Sequence, residues 1–131
     1  MPLKLSLKPS EAVVVNGAVV RNGERRGTLL LETKARILRE RDIMYPENVG
    51  NVFDATYFTV MQIYLTGETE GPLYDACISA LADLMEITAD PEMKQEALSI
   101  SRWLASGQTY KALGACKKII RHNPVAEVSS G

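Results

Sequence analysis

The sequence predicts an α+β protein, with a small antiparallel β-meander or barrel-like sheet at the N-terminus and a bundle of about four helices behind it. Three observations carry this. Apolar and polar residues alternate through the first 45 residues, a period of two that belongs to half-buried strands. Two Asn-Gly pairs, Asn16-Gly17 and Asn22-Gly23, punctuate that stretch. From about Asn48 the apolar residues recur instead at steps of three and four, the period of helices.

The strands follow in order. Leu3, Leu5 and Leu7 alternate with Lys4, Ser6 and Lys8, and Pro9-Ser10 ends the run. The β-branched runs Val13–Val15 and Ala18–Val20 flank Asn16-Gly17, the pair best suited to the positive φ angles of a type I′ hairpin turn. Asn22-Gly23 is expected as a second turn opening the loop from Arg21 to Gly27. Thr28–Glu32 and Ala35–Arg39 read as two further strands.

The helices are equally marked. Val52, Phe53, Tyr57, Val60, Met61 and Tyr64 form the stripe of the first, which Gly67–Gly71 ends. Pro72 suits the first turn of the second. Its stripe of Leu73, Cys77, Ala80, Leu81 and Leu84 is joined by another of Tyr74, Ile78 and Met85, so it is expected to be the most buried helix. Asp90-Pro91-Glu92 combines a capping aspartate, a first-turn proline and an acid at the positive dipole end. Met93, Ala97, Ile100 and Leu104 line that third helix. The fourth runs from about Gln108 to Arg121, with Leu113, Cys116 or Lys117, and Ile120 inward, and His122 among the cations at its end.

Charge divides the chain at nearly the same place as periodicity. Through Tyr45 there are nine basic and five acidic residues, a net of +4; from Pro46 there are six basic and eleven acidic, a net of −5. The overall −1 thus hides a dipolar molecule. The expected organisation is a basic β-rich module over 1–45, an acidic helical bundle over 46–123 and a disordered tail over 124–131.

Several functions lack their residues. No Walker loop, G-x-G-x-x-G, H-E-x-x-H or G-x-S-x-G occurs, and no catalytic constellation is visible. Cys77 and Cys116 have no further cysteine or histidine at metal-ligand spacing, so no metal or other cofactor is expected and both read as buried thiols. Lysines interrupt the apolar residues of MPLKLSLKP, unlike a signal peptide, and no apolar stretch is long enough to span a membrane. A cytoplasmic, non-enzymatic protein is expected.

The arginines of the first module are the candidate binding residues. Arg21, Arg25 and Arg26 fall in one loop, and Lys34, Arg36, Arg39 and Arg41 surround a short strand. Guanidinium groups grip phosphate bidentately, and several on one small sheet give salt-dependent affinity for nucleic acid. The alternative reading is ion pairing with Glu24, Glu32, Glu40 and Asp42. Residues 1–44 contain no Phe, Tyr or Trp, so any RNA would be read by arginine, backbone and loop shape rather than by base stacking. The acidic residues of the helices offer either a solvated face or a docking surface.

The strings MPLKLSLKP, NGAVVRNGERR and LRERDIM, in this order and spacing over most of residues 1–48, resemble the start of the alphaproteobacterial flagellar biosynthesis repressor family FlbT. That resemblance implies a post-transcriptional regulator that associates with the 5′ untranslated region of flagellin mRNA and represses translation or promotes decay. In some species the family acts positively. It also implies FlaF, a small protein linked to flagellin production, as a co-worker. A protein-binding adapter for flagellin or FlaF is the competing expectation. The open strand edges of a sheet this small need cover, from the helices or from a second subunit in a homodimer.

Overall fold

The computed structural model describes residues 3–68 and 70–121. It is an α+β arrangement in two compact units, Met1–Ile43 and Met44–Gly131. His122 and the tail over 124–131 lie outside the described residues.

The first unit holds β1 (Leu3–Leu7), β2 (Ala12–Val15), β3 (Ala18–Arg21), β4 (Gly27–Leu31) and β5 (Ile37–Arg39). They form two antiparallel sheets, a β1–β4 ribbon and a three-stranded sheet in the order β3–β2–β5. Only β2 and β3 are joined by a tight hairpin. Asn16 and Gly17 there have φ of 50° and 86°, the conformation expected of them.

Asn22-Gly23 differs from expectation, because neither residue enters the left-handed region. The Asn22 N–H donates to Glu11 O at 2.8 Å and continues the β2–β3 ladder. Its side-chain amide donates to Leu7 O, Lys8 O and Arg25 O at 3.3, 2.8 and 2.9 Å. Asn22 is therefore a tether between segments rather than a turn residue.

The core of this unit lies between the sheets. Leu5 and Leu7 meet Val13, with Val15, Leu29, Leu31 and Ile37 packed around them. Register places Leu3 opposite Leu31 and Leu5 opposite Leu29, so these leucines share one face, while Leu30, opposite Lys4, is exposed on the other. Val13 and Val15 stand opposite Arg39 and Ile37. Strand alternation thus produces a two-layer sandwich from strands of 3 to 5 residues.

The second unit holds α1 (Val52–Thr66), α2 (Pro72–Ile87), α3 (Pro91–Ala105) and α4 (Thr109–Arg121). Helix α1 packs on α2 and α4, while α3 packs on α4 and more lightly on α2. The caps match the residue types. The Asn51 side chain accepts from Asp54 N at 2.9 Å, Asp90 accepts from Glu92 N at 3.0 Å, and Gly67 ends α1 at φ 76°.

Helix α3 buries the four residues its pattern predicts, Met93, Ala97, Ile100 and Leu104. In α4 the inward residue near the end is Ile119, with Ala112, Leu113, Ala115 and Cys116; Ile120 is half-buried. The most buried helix is α1, not α2. It has two close neighbours and buries Thr56, Tyr57, Val60, Met61, Ile63 and Tyr64. In α2 the second stripe stays at the surface, with Ile78 exposed and Tyr74 and Met85 half-buried. The buried Thr56 hydroxyl donates to Val52 O at 2.8 Å, which satisfies it within its own helix.

Cys77 and Cys116 are buried free thiols. Among the described residues, no group of three or more His, Cys, Asp or Glu side chains is placed to hold a metal ion. No helix among them is long and apolar enough to cross a membrane.

Candidate nucleic-acid interface

The two ends of the sandwich position the cations. The ladder sets Arg21 opposite Ala12 and Arg39 opposite Val13, at the start of β2. The tether from Asn22 brings Lys8 and Arg25 to that same end. Arg26 precedes β4, and Arg41 follows β5 in a single 3₁₀ turn, Glu40–Asp42. Arg36 instead lies across from Asn16, past the other end of β2. Lys34 is in the connection leading to it. The length of β2, roughly 13 Å at about 3.3 Å per residue, separates the two groups.

The seven expected residues therefore split by place and by chemistry. Arg21 donates to Ser10 O at 2.6 Å and stands 3.8 Å from Glu40. Arg39 donates to Ser6 O at 3.1 Å, linking the two sheets, and stands 3.7 Å from Glu11. Their acids are themselves held. Glu40 accepts from Ala12 N and Glu11 from Lys8 N, each at 2.8 Å. For Arg21 and Arg39 the ion-pairing alternative is realised, with Glu40 as one expected partner and Glu11 as one the sequence did not suggest.

Arg25, Arg26, Lys34, Arg36 and Arg41 are exposed and make no ion pair among the described residues. Their guanidinium and ammonium groups face solvent, and in two of them the backbone is held. Arg25 O accepts from Asn22, and Arg36 has both backbone polar groups bonded to Asn16. Lys8 joins the near-end group, and pattern reading missed it because it lies in the first strand's polar register. The Asn22 tether, spanning 14 residues, and the bond from Ser10 N to Gly23 O bring it beside Arg25.

Fold and surface together define a small two-unit α+β protein, a basic strand-rich unit followed by an acidic helical one. The chain belongs to the FlbT family: the family profile described as "Flagellar protein FlbT" matches residues 3–125. The chain is 42% identical to the "Flagellum biosynthesis repressor protein FlbT" of Caulobacter vibrioides, over its whole length and 94% of that relative. A probable FlbT of Caulobacter sp. strain K31 is 40% identical over 93% of each chain. One of Rhodopseudomonas palustris is 33% identical over 92% of this chain and 94% of its own. No solved structure matches.

Proposed function

We propose that this chain represses flagellin synthesis after transcription, binding the 5′ untranslated region of flagellin mRNA and limiting its translation or promoting its decay. The observation that carries the reading is the exposed near-end group of Lys8, Arg25, Arg26 and Arg41, in which Asn22 holds the carbonyls of Lys8 and Arg25. Exposed cations suit phosphate binding, and relatives in the family are named as repressors of flagellum biosynthesis. With no aromatic residue in the first 44, recognition would rest on arginine and loop shape.

A gel-shift of the purified protein on its flagellin leader RNA tests this. Arg25→Ala with Arg26→Ala should weaken binding and flatten its salt dependence by about 0.7 in log–log slope for each phosphate no longer neutralised. Salt-insensitive binding, unchanged by the double substitution, would sink the arginine reading.

The second reading is an adapter that holds flagellin or FlaF on the helical unit. It is favoured by apolar side chains left exposed there, Ile78, Ile87 and Leu98, on helices that also carry Asp75, Asp83 and Glu86. Nuclease-treated pull-downs with purified flagellin and FlaF would test it, and retention of neither would count against it.

A further inference from the structure

We propose that two copies of this chain pair through β3, antiparallel about a two-fold axis at Val20, to join their three-stranded sheets into one of six strands. This goes beyond the repressor reading and does not depend on it.

The argument begins with the hydrogen-bond alternation of the β2–β3 ladder. Asn22 N donates to Glu11 O, so Glu11–Asn22 is a bonded pair. Counting along the register, Ala12–Arg21 is a non-bonded pair, Val13–Val20 bonded, Val14–Val19 non-bonded and Val15–Ala18 bonded. The backbone N–H and C=O groups of Val19 and Arg21 therefore point away from β2, along the free edge of the β3–β2–β5 sheet.

These two residues are spaced to satisfy each other in a second copy. With Val20 on the axis, Val19 of one copy faces Arg21 of the other, and the pair exchanges two backbone bonds on each side of the axis. Val20 then faces its own counterpart as a non-bonded pair, the position where antiparallel side chains come closest. An isologous contact requires this kind of self-matching.

Side chains agree with the backbone. All four residues of β3 are exposed, and Val19 is 68% exposed although strongly apolar. The one charge on the strand reaches back across its own sheet. The Arg21 guanidinium reaches back to Ser10 O and Glu40, which leaves the outer edge without a free cation to repel a copy. β1 is different, because side chains of Arg39 and Asn22 already donate to its Ser6 and Leu7 carbonyls.

A ladder of three residue pairs and four backbone bonds is small beside the roughly 1,200 Å² of a stable interface, so the dimer should dissociate in the micromolar range. Sedimentation equilibrium of the full chain should show mass rising from monomer to dimer across that range. Val19→Pro removes an outward N–H and leaves the β2–β3 ladder intact, so it should weaken dimerisation about tenfold or more with unchanged circular dichroism. Val20→Cys should form a disulfide-linked dimer under mild oxidation, faster than Val19→Cys, because only position 20 faces itself. A monomer at every concentration would overturn the proposal. Crosslinking of Val19→Cys as fast as Val20→Cys would also overturn it.

Discussion

Asn16 and Arg36 hold each other through two hydrogen bonds at the tip of the three-stranded sheet. The Asn16 side-chain oxygen accepts from Arg36 N at 2.8 Å, and Asn16 N donates to Arg36 O at 2.8 Å. Asn16 does this from a left-handed conformation, φ 50°, that its place in the hairpin demands. One residue thus closes the β2–β3 turn and docks the start of β5. Asn16→Gly keeps the turn and loses the side-chain bond, which should cost about 1 kcal/mol. Asn16→Ala loses the bond and adds a left-handed alanine, about 1–2 kcal/mol more. Urea denaturation monitored on the β unit should rank wild type above glycine and glycine above alanine.

The division among the arginines separates stability from binding. Arg21 and Arg39 satisfy backbone carbonyls and pair with Glu40 and Glu11. Arg39 is the better sheltered, with 28% of its side chain exposed against 58% for Arg21. Arg39→Ala should therefore cost about 1–2 kcal/mol, chiefly through the missing bond to Ser6 O, and Arg21→Ala less. Arg25→Ala and Arg26→Ala should leave the melting temperature within about 1–2 °C of wild type. Calorimetry on the four single variants checks the ordering.

Much of this was legible in the residues because the signals were local. Asn16-Gly17 fixed a hairpin, Asp90-Pro91 fixed a helix start, and the step pattern of Met93, Ala97, Ile100 and Leu104 fixed a buried face. Longer-range facts were not legible. Pairing of β1 with β4 skips two intervening strands, and nothing within either strand announces it. Asn22 carries the same dipeptide as Asn16, yet its side chain finds three carbonyls that only the folded sandwich brings together. Likewise, Arg21 and Arg25 look alike in sequence, and it is the position of Glu40 that makes one a clamp and leaves the other exposed.

The Asn22 tether should control the shape of the basic end. Asn22→Ala removes the two amide N–H donors that serve Lys8 O, Arg25 O and, by a longer shared contact, Leu7 O. These carbonyls lie in a part-buried to exposed setting, so water replaces some of the loss and the cost should be about 1–2 kcal/mol. The sharper effect should be on the loop. Amide exchange from Glu24 to Arg26 should quicken, and RNA affinity should fall although every cation is retained, because ordering the loop then opposes binding. Unchanged exchange in that loop would show that Asn22 does not hold it.

The buried thiols should make the helical unit sensitive to alkali. Burial pushes both Cys77 and Cys116 above the ordinary thiol value of 9.0, and the neighbouring Cys77 adds to the rise at Cys116. The folded state therefore keeps its protons where the unfolded chain would release them. Stability from this source is whole below about pH 9 and falls as pH rises beyond it, by at most about 1.4 kcal/mol per pH unit for each thiol. Tyrosines and lysines also titrate in that range, so the informative quantity is a difference between variants. Cys116→Ala should lower stability at pH 7 by about 1 kcal/mol for the missing packing, and it should make the decline between pH 9 and 11 shallower than in wild type. The same burial predicts that a thiol reagent leaves both cysteines unmodified in the folded protein and labels both in denaturant. A decline as steep in Cys116→Ala as in wild type would assign the alkaline loss to other groups.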